Sequence, residues 1–219
     1  MEEIFKKFNR ILEEKGVIEH SGTIIDATFV DAPRQRNSKE ENDRIKEGDI
    51  PSDWKSKPNK LAQKDLDARW AKKGGETHYG YKDHTKVDMK SKLITKYKTT
   101  PANVHDSNVF EEFIDETDKE IYADSAYAGK HVPEHAKNKI LEKGYRNKPL
   151  TDAQKQRNKE NSRKRVRIEH VYGDITNGMK GLTLRCIGIV RAQYNIGLTN
   201  LVYNIRRYSY LVRQGLATV

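Results

Sequence analysis

The sequence has little cysteine, no long apolar run and no excess of acidic residues. Its single cysteine, Cys186, excludes an intrachain disulfide and suits a reducing compartment. No apolar run approaches the roughly 20 residues that a membrane-spanning helix needs. Residues 1–16 mix acidic and basic side chains and lack the apolar core of a secretory signal. We therefore expect a cytoplasmic protein with no membrane partner.

What the chain does have is positive charge. Hydrophobic residues make up 35% of the 219 residues, which is enough for one sizeable core. Lysine and arginine number 42 against 32 acidic residues, so the formal net charge is +10. This balance favours nucleic acid or another polyanion as the partner, with a basic but otherwise ordinary enzyme as the alternative.

Apolar spacing predicts the first elements of the fold. Residues 3–15 have the pattern of a short amphipathic helix, within an N-terminal segment that we assign to 1–20. "TIIDATFV" at 23–30 predicts a strand, with Asp26 on the face opposite Ile25 and Phe29. Residues 31–76 are polar, contain both tryptophans and show no regular period, which indicates a long insertion after this strand.

The remainder predicts alternating strands and helices. Alternation at 78–89 and 92–100 predicts a hairpin, and "HDSNVFEEFIDE" at 105–116 predicts a short helix. "EIYADSAYAG" reads as a buried strand running into a turn, and 132–144 as a short helix, with a further strand as the alternative. One long helix is predicted at 151–176 and another at about 187–213. This order implies an α/β fold in which helices flank a mixed β-sheet.

The last predicted helix carries an apolar stripe. Its members include Tyr194, Leu198, Leu201 and Ile205. We interpret the stripe as core, and a dimer seam is the alternative.

Three carboxylates are the candidate catalytic and metal-binding residues: Asp26, Asp124 and Glu169. The two aspartates occupy strands too apolar to favour an isolated charge, and the glutamate follows a dense basic run. Gathered together, the three would repel one another unless a divalent cation held them. Mg²⁺ suits oxygen ligands, and two such ions, with Mn²⁺ as a substitute, would support phosphoryl transfer. In the alternative, Asp26 caps a strand end, Asp124 starts a turn and Glu169 pairs with Arg165.

The basic charge is concentrated at 137–167. This segment has 12 basic and 3 acidic residues, a net of +9. It leads directly to Glu169, so we interpret it as a track for DNA phosphates, with a solvated helix face as the alternative. "PRQRN" also places Arg34 and Arg36 close behind Asp26, where they could grip phosphates or form part of a plain loop.

Several longer motifs resemble a known family. They are "IDATFVDAPRQRN", "KLAQKDLDARWAKKGGETHYGYKDH", "VHDSNVFE", "ADSAYAG", "GYRNKPLT", "RVRIEHVYG" and "IGIVRAQYNIGLTNLVYNIRR". In this order they closely resemble transposases of bacterial insertion sequences, best of all the insertion sequence five family. The resemblance runs from about residue 4 to 212. It implies a ribonuclease-H-like DDE catalytic domain, which we place at 21–213.

The resemblance assigns roles to particular residues. The family's catalytic aspartates fall on Asp26 and Asp124, and its glutamate on Glu169, with the accompanying arginine at Arg165. Relatives commonly have a DNA-contacting lysine where this chain has Thr176, and Lys180 is the candidate substitute. The predicted DNA-binding side chains are Arg34, Arg36, Lys82, His84, Arg163, Lys164, Arg165, Arg167 and Lys180. For His84, a structural hydrogen bond is the alternative role.

The function implied is Mg²⁺-dependent cleavage of double-stranded DNA at the inverted repeats of an element, followed by strand transfer into target DNA. The resemblance also implies a homodimer on DNA, associated with the bacterial nucleoid. Relatives carry a helical region ahead of this segment, so we expect residues 1–20 to be its remnant. Two alternatives stay open: a nuclease without strand transfer, and a truncated transposase that binds DNA but does not cut it.

Overall fold

The computed structural model describes residues 1–33 and 36–218. Its elements in chain order are α1 Glu2–Glu14, β1 Thr23–Asp31, α2 Lys39–Lys46, α3 Ser52–Lys55, α4 Pro58–Leu61, β2 Arg69–Lys73, β3 Glu76–Asp88, β4 Ile94–Pro101, β5 Glu120–Tyr122, β6 Lys137–Asn138, α5 Asp152–Arg165, α6 Arg167–Gly173 and α7 Ile189–Arg213. A π-helical segment, Asp174–Gly178, continues α6, and three 3-10 turns lie between β4 and β6.

The six strands form one mixed sheet. Its order is β2-β3-β1-β5-β6, and β4 pairs with β3. β1, β2 and β4 run antiparallel to β3, whereas β5 runs parallel to both β1 and β6. With helices packed on this sheet, the α/β fold class is confirmed, and the arrangement is consistent with a ribonuclease-H-like fold.

The alternation within β1 sends neighbouring residues into different cores. Ile24 packs with Val87 and with Ile168 and Val171 of α6. Ile25 packs on the other face, in a cluster with Phe110 and Phe113. Helix α6 therefore covers the face of β1 that carries Ile24 and, two residues on, Asp26.

Gly80 allows β1 and β3 to pair closely. It has a φ of 151°, and a Cβ there would lie 2.3 Å from the carbonyl oxygen of Val30. Only glycine fits this approach without moving the neighbouring backbone.

The hairpin of β3 and β4 is confirmed, but two predicted helices are wrong. The segment predicted as a helix at 105–116 forms two 3-10 turns, Asp106–Asn108 and Glu111–Phe113. It is too short to be stable as a helix without tertiary support, and the turns bury Val109, Phe110 and Phe113 together. At 132–144 the further strand is right. Lys137, Lys139 and Leu141 donate backbone hydrogen bonds to the segment around β5, which a helix would forgo.

The predicted long helix at 151–176 is divided. α5 ends at Arg165, the chain turns at Val166, and α6 and the π segment follow. α5 has no buried residues, whereas α6 buries Ile168 and Val171. The turn therefore separates a solvated basic helix from a helix that packs on the sheet.

The insertion is more ordered than the sequence predicts. Between β1 and β3 it forms α2, α3, α4 and β2. Trp54 is fully buried, and Trp70 donates its indole N–H to the carbonyl of Asn37 at 2.8 Å. Both tryptophans therefore hold the insertion together.

The predicted core stripe on α7 is wrong for three of its residues. Tyr194, Leu198 and Ile205 are exposed, while Leu201 is buried. The buried face of α7 includes two asparagines, Asn200 and Asn204, whose amides bond to Asp83 and to the backbone of Ile94. Hydrophobic spacing does not detect a buried face that contains polar residues.

Candidate active site

Asp26 is the most buried of the three candidate carboxylates. It lies on β1 and is 7% exposed. Burial raises its pKa to about 6, against a backbone hydrogen bond from Ala27 and the nearby Arg165, which lower it. The charge of Asp124 also raises this pKa, so the two aspartates lie close enough to repel each other.

The strand register brings Asp124 beside Asp26. Ile24 of β1 pairs with Tyr122 of β5 in the parallel ladder. Two residues beyond that pair, in the same direction, lie Asp26 and Asp124. Asp124 begins the 3-10 turn Ser125–Tyr127, and its Oδ1 accepts a 2.8 Å hydrogen bond from the amide of Ala126. It therefore starts a turn, as the alternative interpretation held, and also faces Asp26.

Glu169 is connected to Asp26 through Arg165. The arginine Nη1 lies 2.8 Å from Asp26 Oδ2, and its Nη2 lies 3.3 Å from Glu169 Oε1. Glu169 does pair with Arg165, but the same guanidinium also reaches the buried aspartate on the sheet. The Glu169 side chain is half exposed.

The donor set suits a hard cation. Carboxylate oxygens are what Mg²⁺ and Mn²⁺ prefer, and Asp26 is a buried acid that a cation would stabilise in its charged form. Within residues 1–33 and 36–218, no three acidic, histidine or cysteine side chains already stand close enough to share an ion. The Arg165 guanidinium lies between Asp26 and Glu169, so binding an ion through both requires that guanidinium to move.

Residues that the sequence interpretation missed also surround Asp26. Thr85 is its cross-strand partner, and the Thr85 hydroxyl lies 2.7 Å from that of Tyr172 on α6. Burial raises the pKa of Tyr172 well above its usual value, with Asp26 and Asp83 contributing. The alternation of β3 places Thr85 and Asp83 on one face, which is the signal that could have found them.

The basic side chains around the junction of α5 and α6 differ in exposure. Arg163 and Lys164 are exposed, and Arg167 is partly exposed. Lys164 lies over the Tyr122 ring at 5.5 Å and donates to its hydroxyl at 3.0 Å. Arg163 and Arg167 form no ion pair within the described ranges, so their charges are available to a polyanion.

Two predicted DNA-binding residues lie inside the protein. Lys82 is buried and bonds Asp106 at 2.7 Å and the Val104 carbonyl at 2.8 Å. His84 is 1% exposed and bonds Thr100 at 2.8 Å, and burial lowers its pKa to about 4. A phosphate contact by either side chain would require these contacts to open, so the structural role fits both residues.

The remaining candidates lie on loops. Arg36 is exposed, 3.9 Å from Asp31, and lies over the Trp70 ring. Lys180 is exposed after the π segment, with a φ of 64°, and Thr176 is exposed within that segment. Arg34 lies outside the described residues.

No helix among the described residues combines the length and apolar content needed to cross a bilayer.

Comparison with known proteins identifies the family. The transposase DDE domain family matches residues 18–205. A transposase for insertion sequence element IS1106 from Neisseria meningitidis serogroup B is 30% identical over 218 residues, covering 94% of this chain and 72% of that protein. No solved structure matches the chain. The chain therefore belongs to the transposase DDE domain family.

Proposed function

We propose that this transposase cuts DNA at the ends of a bacterial insertion element and joins them to target DNA, using Asp26, Asp124 and Glu169. The observation that carries the proposal is the parallel pairing of Ile24 with Tyr122, which leads both aspartates to one edge of the sheet. The insertion sequence five family stays the proposed subgroup.

The three carboxylates would hold two Mg²⁺ ions, with Mn²⁺ as a substitute. When bound, such ions activate a water or a 3′-hydroxyl and stabilise the leaving oxygen of an in-line displacement. Asp26 and Asp124 each use Oδ1 to accept a backbone hydrogen bond. These bonds hold one oxygen of each carboxyl group, so the other oxygen, Oδ2, would be the one to bind an ion.

Arg165 has a separate role in the proposal. Its guanidinium pairs with both Asp26 and Glu169. On metal binding it would release Asp26 Oδ2 and become available to a DNA phosphate nearby, since a guanidinium binds either oxyanion with the same fork of donors.

The basic segment 137–167 would carry the DNA to this site. Arg163 and Lys164 lie at the end of α5, Arg167 begins α6, and all three are within two turns of Glu169. Helix α5 has no buried residues. Exposed lysine and arginine on such a surface neutralise phosphates and release counterions.

A homodimer on DNA, within the nucleoid, is the assembly that we propose. The exposed apolar residues of α7 are an available seam, namely Val190, Tyr194, Leu198, Val202 and Ile205. Sedimentation velocity with and without duplex DNA measures this state, and a monomer under both conditions would refute it.

The variant Asp124→Asn tests the catalytic assignment. It keeps the side-chain shape and the Ala126 hydrogen bond but removes a charged ligand, so metal-dependent cleavage should fall by at least a hundredfold while DNA binding stays within about twofold. Cleavage is measured on a duplex that carries the DNA flanking the coding region. Asp152→Asn is the matched control, because Asp152 is fully exposed on α5. Undiminished cleavage by Asp124→Asn would refute the assignment.

Incubating pre-cut ends with a target plasmid distinguishes the alternatives. Joined products support a transposase, hydrolysis without joining supports a nuclease, and binding without any product supports an inactive transposase.

A further inference from the structure

A second basic site lies on α7 and on the side of α6 that carries His170. A cavity of about 770 Å³ opens between the turn after β3 and these two helices. Its charged lining consists of Lys92, Asp174, Arg206, Arg207 and Arg213, with His170 at one side. We call this cavity the Lys92 pocket. None of the residues that line it is a proposed metal ligand.

The positive charge of the Lys92 pocket is mostly uncompensated. Arg206 bonds Asp174 at 3.4 Å and the Gly178 carbonyl at 3.0 Å. Across residues 1–33 and 36–218, Lys92, Arg207 and Arg213 have no carboxylate within ion-pair distance. Four cations therefore share one acid.

The fold holds two of these cations in place. The Lys92 Nζ donates to His170 Nδ1 at 2.7 Å, and the Lys92 carbonyl accepts from the Tyr203 hydroxyl at 2.7 Å. Arg207 donates its Nε to the Ser91 carbonyl at 2.7 Å and lies over the Tyr210 ring. Arg207 therefore keeps its terminal N–H groups for another acceptor.

The cations around Lys92 lie close enough to repel one another, and a bound anion would reduce this repulsion. Burial, followed by the charges of Arg207 and Arg167, lowers the pKa of Lys92. Cations held close together without acids are typical of a site for phosphate.

We propose that the Lys92 pocket binds backbone phosphates of DNA, outside the catalytic site. This rests on the proposed function, because DNA is the polyanion that the protein would meet. His170 follows Glu169 directly, so it projects about 100° further round α6. DNA that crosses the proposed metal site therefore has a second anchoring point around the same helix. The lining residues follow α7 from Tyr203 to Arg213 and include the apolar Val212, which can contact sugars.

The test is the salt dependence of DNA binding by Lys92→Gln/Arg213→Gln. Each phosphate contact contributes about 0.9 to the slope of log affinity against log salt, so the double variant should lose about 2 from that slope. At low salt its dissociation constant should rise on the order of tenfold. Fluorescence anisotropy with a labelled duplex across a sodium chloride series measures both quantities.

Three further variants make the result specific. Lys6→Gln/Lys46→Gln removes the same charge at exposed lysines that each already pair with an acid, and it should keep the wild-type slope. Lys92→Arg keeps the charge and should also keep the slope. Arg213→Gln alone lies at the exposed end of α7 and should lose about half as much, even if the double variant unfolds.

A double variant that binds with wild-type slope and affinity would overturn the proposal, as would an equal loss in the Lys6→Gln/Lys46→Gln control. The failure of the proposed function looks different. In that case the wild type forms no metal-dependent product, while the loss of slope in the pocket variant stands.

Discussion

Asp83 is a buried carboxyl group that forms no ion pair with any residue the structure describes. It is 2% exposed, and its Oδ2 accepts a 2.9 Å hydrogen bond from the Asn200 amide. Among the described residues, Asp83 Oδ1 and Asn200 Oδ1 have no hydrogen-bond partner. Burial raises the pKa of Asp83 to about 8. Protonation would give Asp83 an O–H donor, and the unpartnered Asn200 Oδ1 is an acceptor for one, so the folded state favours the neutral acid.

The first prediction is that stability falls as pH rises toward 8 and that Asp83→Asn removes this fall. Between its ordinary pKa of 3.8 and about 8, the folded protein holds a proton on Asp83 that the unfolded chain releases. The free energy of unfolding therefore decreases with pH across this window. Asparagine supplies the missing donor without a charge, so the variant should be more stable at pH 8 by on the order of 2 kcal/mol. Urea unfolding across this pH range measures it.

Two other buried groups limit where this measurement is clear. Because the pKa of Asp26 is raised to about 6, the free energy of unfolding also falls as pH rises toward 6. Because the pKa of His84 is lowered from 6.5 to about 4, the free energy of unfolding rises as pH rises through the interval between those two values. The interval from pH 6.5 to 8 therefore reports Asp83 best. Asp152→Asn should keep the wild-type slope there, and an unchanged slope in Asp83→Asn would refute the prediction.

At the scale of elements, the sequence pattern predicted the secondary structure correctly where the local sequence determines it. Strand β1 and the hairpin of β3 and β4 follow from apolar alternation. The pattern predicted the wrong secondary structure where contacts with a neighbouring element determine it. At 132–144 the backbone forms hydrogen bonds with the segment around β5 instead of forming a helix. It also failed on α7, whose buried face includes Asn200 and Asn204.

The second prediction concerns a buried ion pair that connects β3 to the turn before β5. Lys86 is 1% exposed and lies 2.8 Å from Asp118, which also accepts from the Thr23 hydroxyl on β1. Lys86→Ala leaves Asp118 charged and buried, so it should lower the free energy of unfolding by about 3–5 kcal/mol. Urea unfolding measures the loss.

Lys96→Ala is the control for this pair. Lys96 bonds the other partner of Lys86, Asp115, at 2.6 Å, but it lies at the surface with a partly exposed side chain. Removing it should cost under about 1 kcal/mol. If the two substitutions cost the same, burial is not what makes the Lys86 pair important.

For the whole molecule, the sequence names candidate site residues but does not predict the contacts around them. Resemblance named Asp26, Asp124 and Glu169, and β-strand periodicity put Asp26 on the face that α6 covers. Nothing in the sequence shows that Arg165 joins Asp26 to Glu169, since that contact spans 139 positions. The burial of Lys82 was missed for the same reason, because its partner Asp106 comes from elsewhere in the chain. For His84, the hydrogen bond to Thr100 fits the alternative structural role.

The third prediction links the metal site to the stability of the whole fold. The proposed ligands come from β1, from the turn after β5 and from α6, so an ion bound by all three stabilises only the folded chain. With Mg²⁺ at ten times its dissociation constant, the gain is about 1.4 kcal/mol, which raises the melting temperature by about 3–6 °C for a chain of this size. Differential scanning calorimetry with Mg²⁺ and with EDTA measures the difference.

Asp124→Asn should show little of this rise, whereas Asp152→Asn should show all of it. If neither Mg²⁺ nor Mn²⁺ changes the melting temperature of the wild type, these carboxylates do not bind the ions without DNA. The substrate would then have to supply the missing ligands.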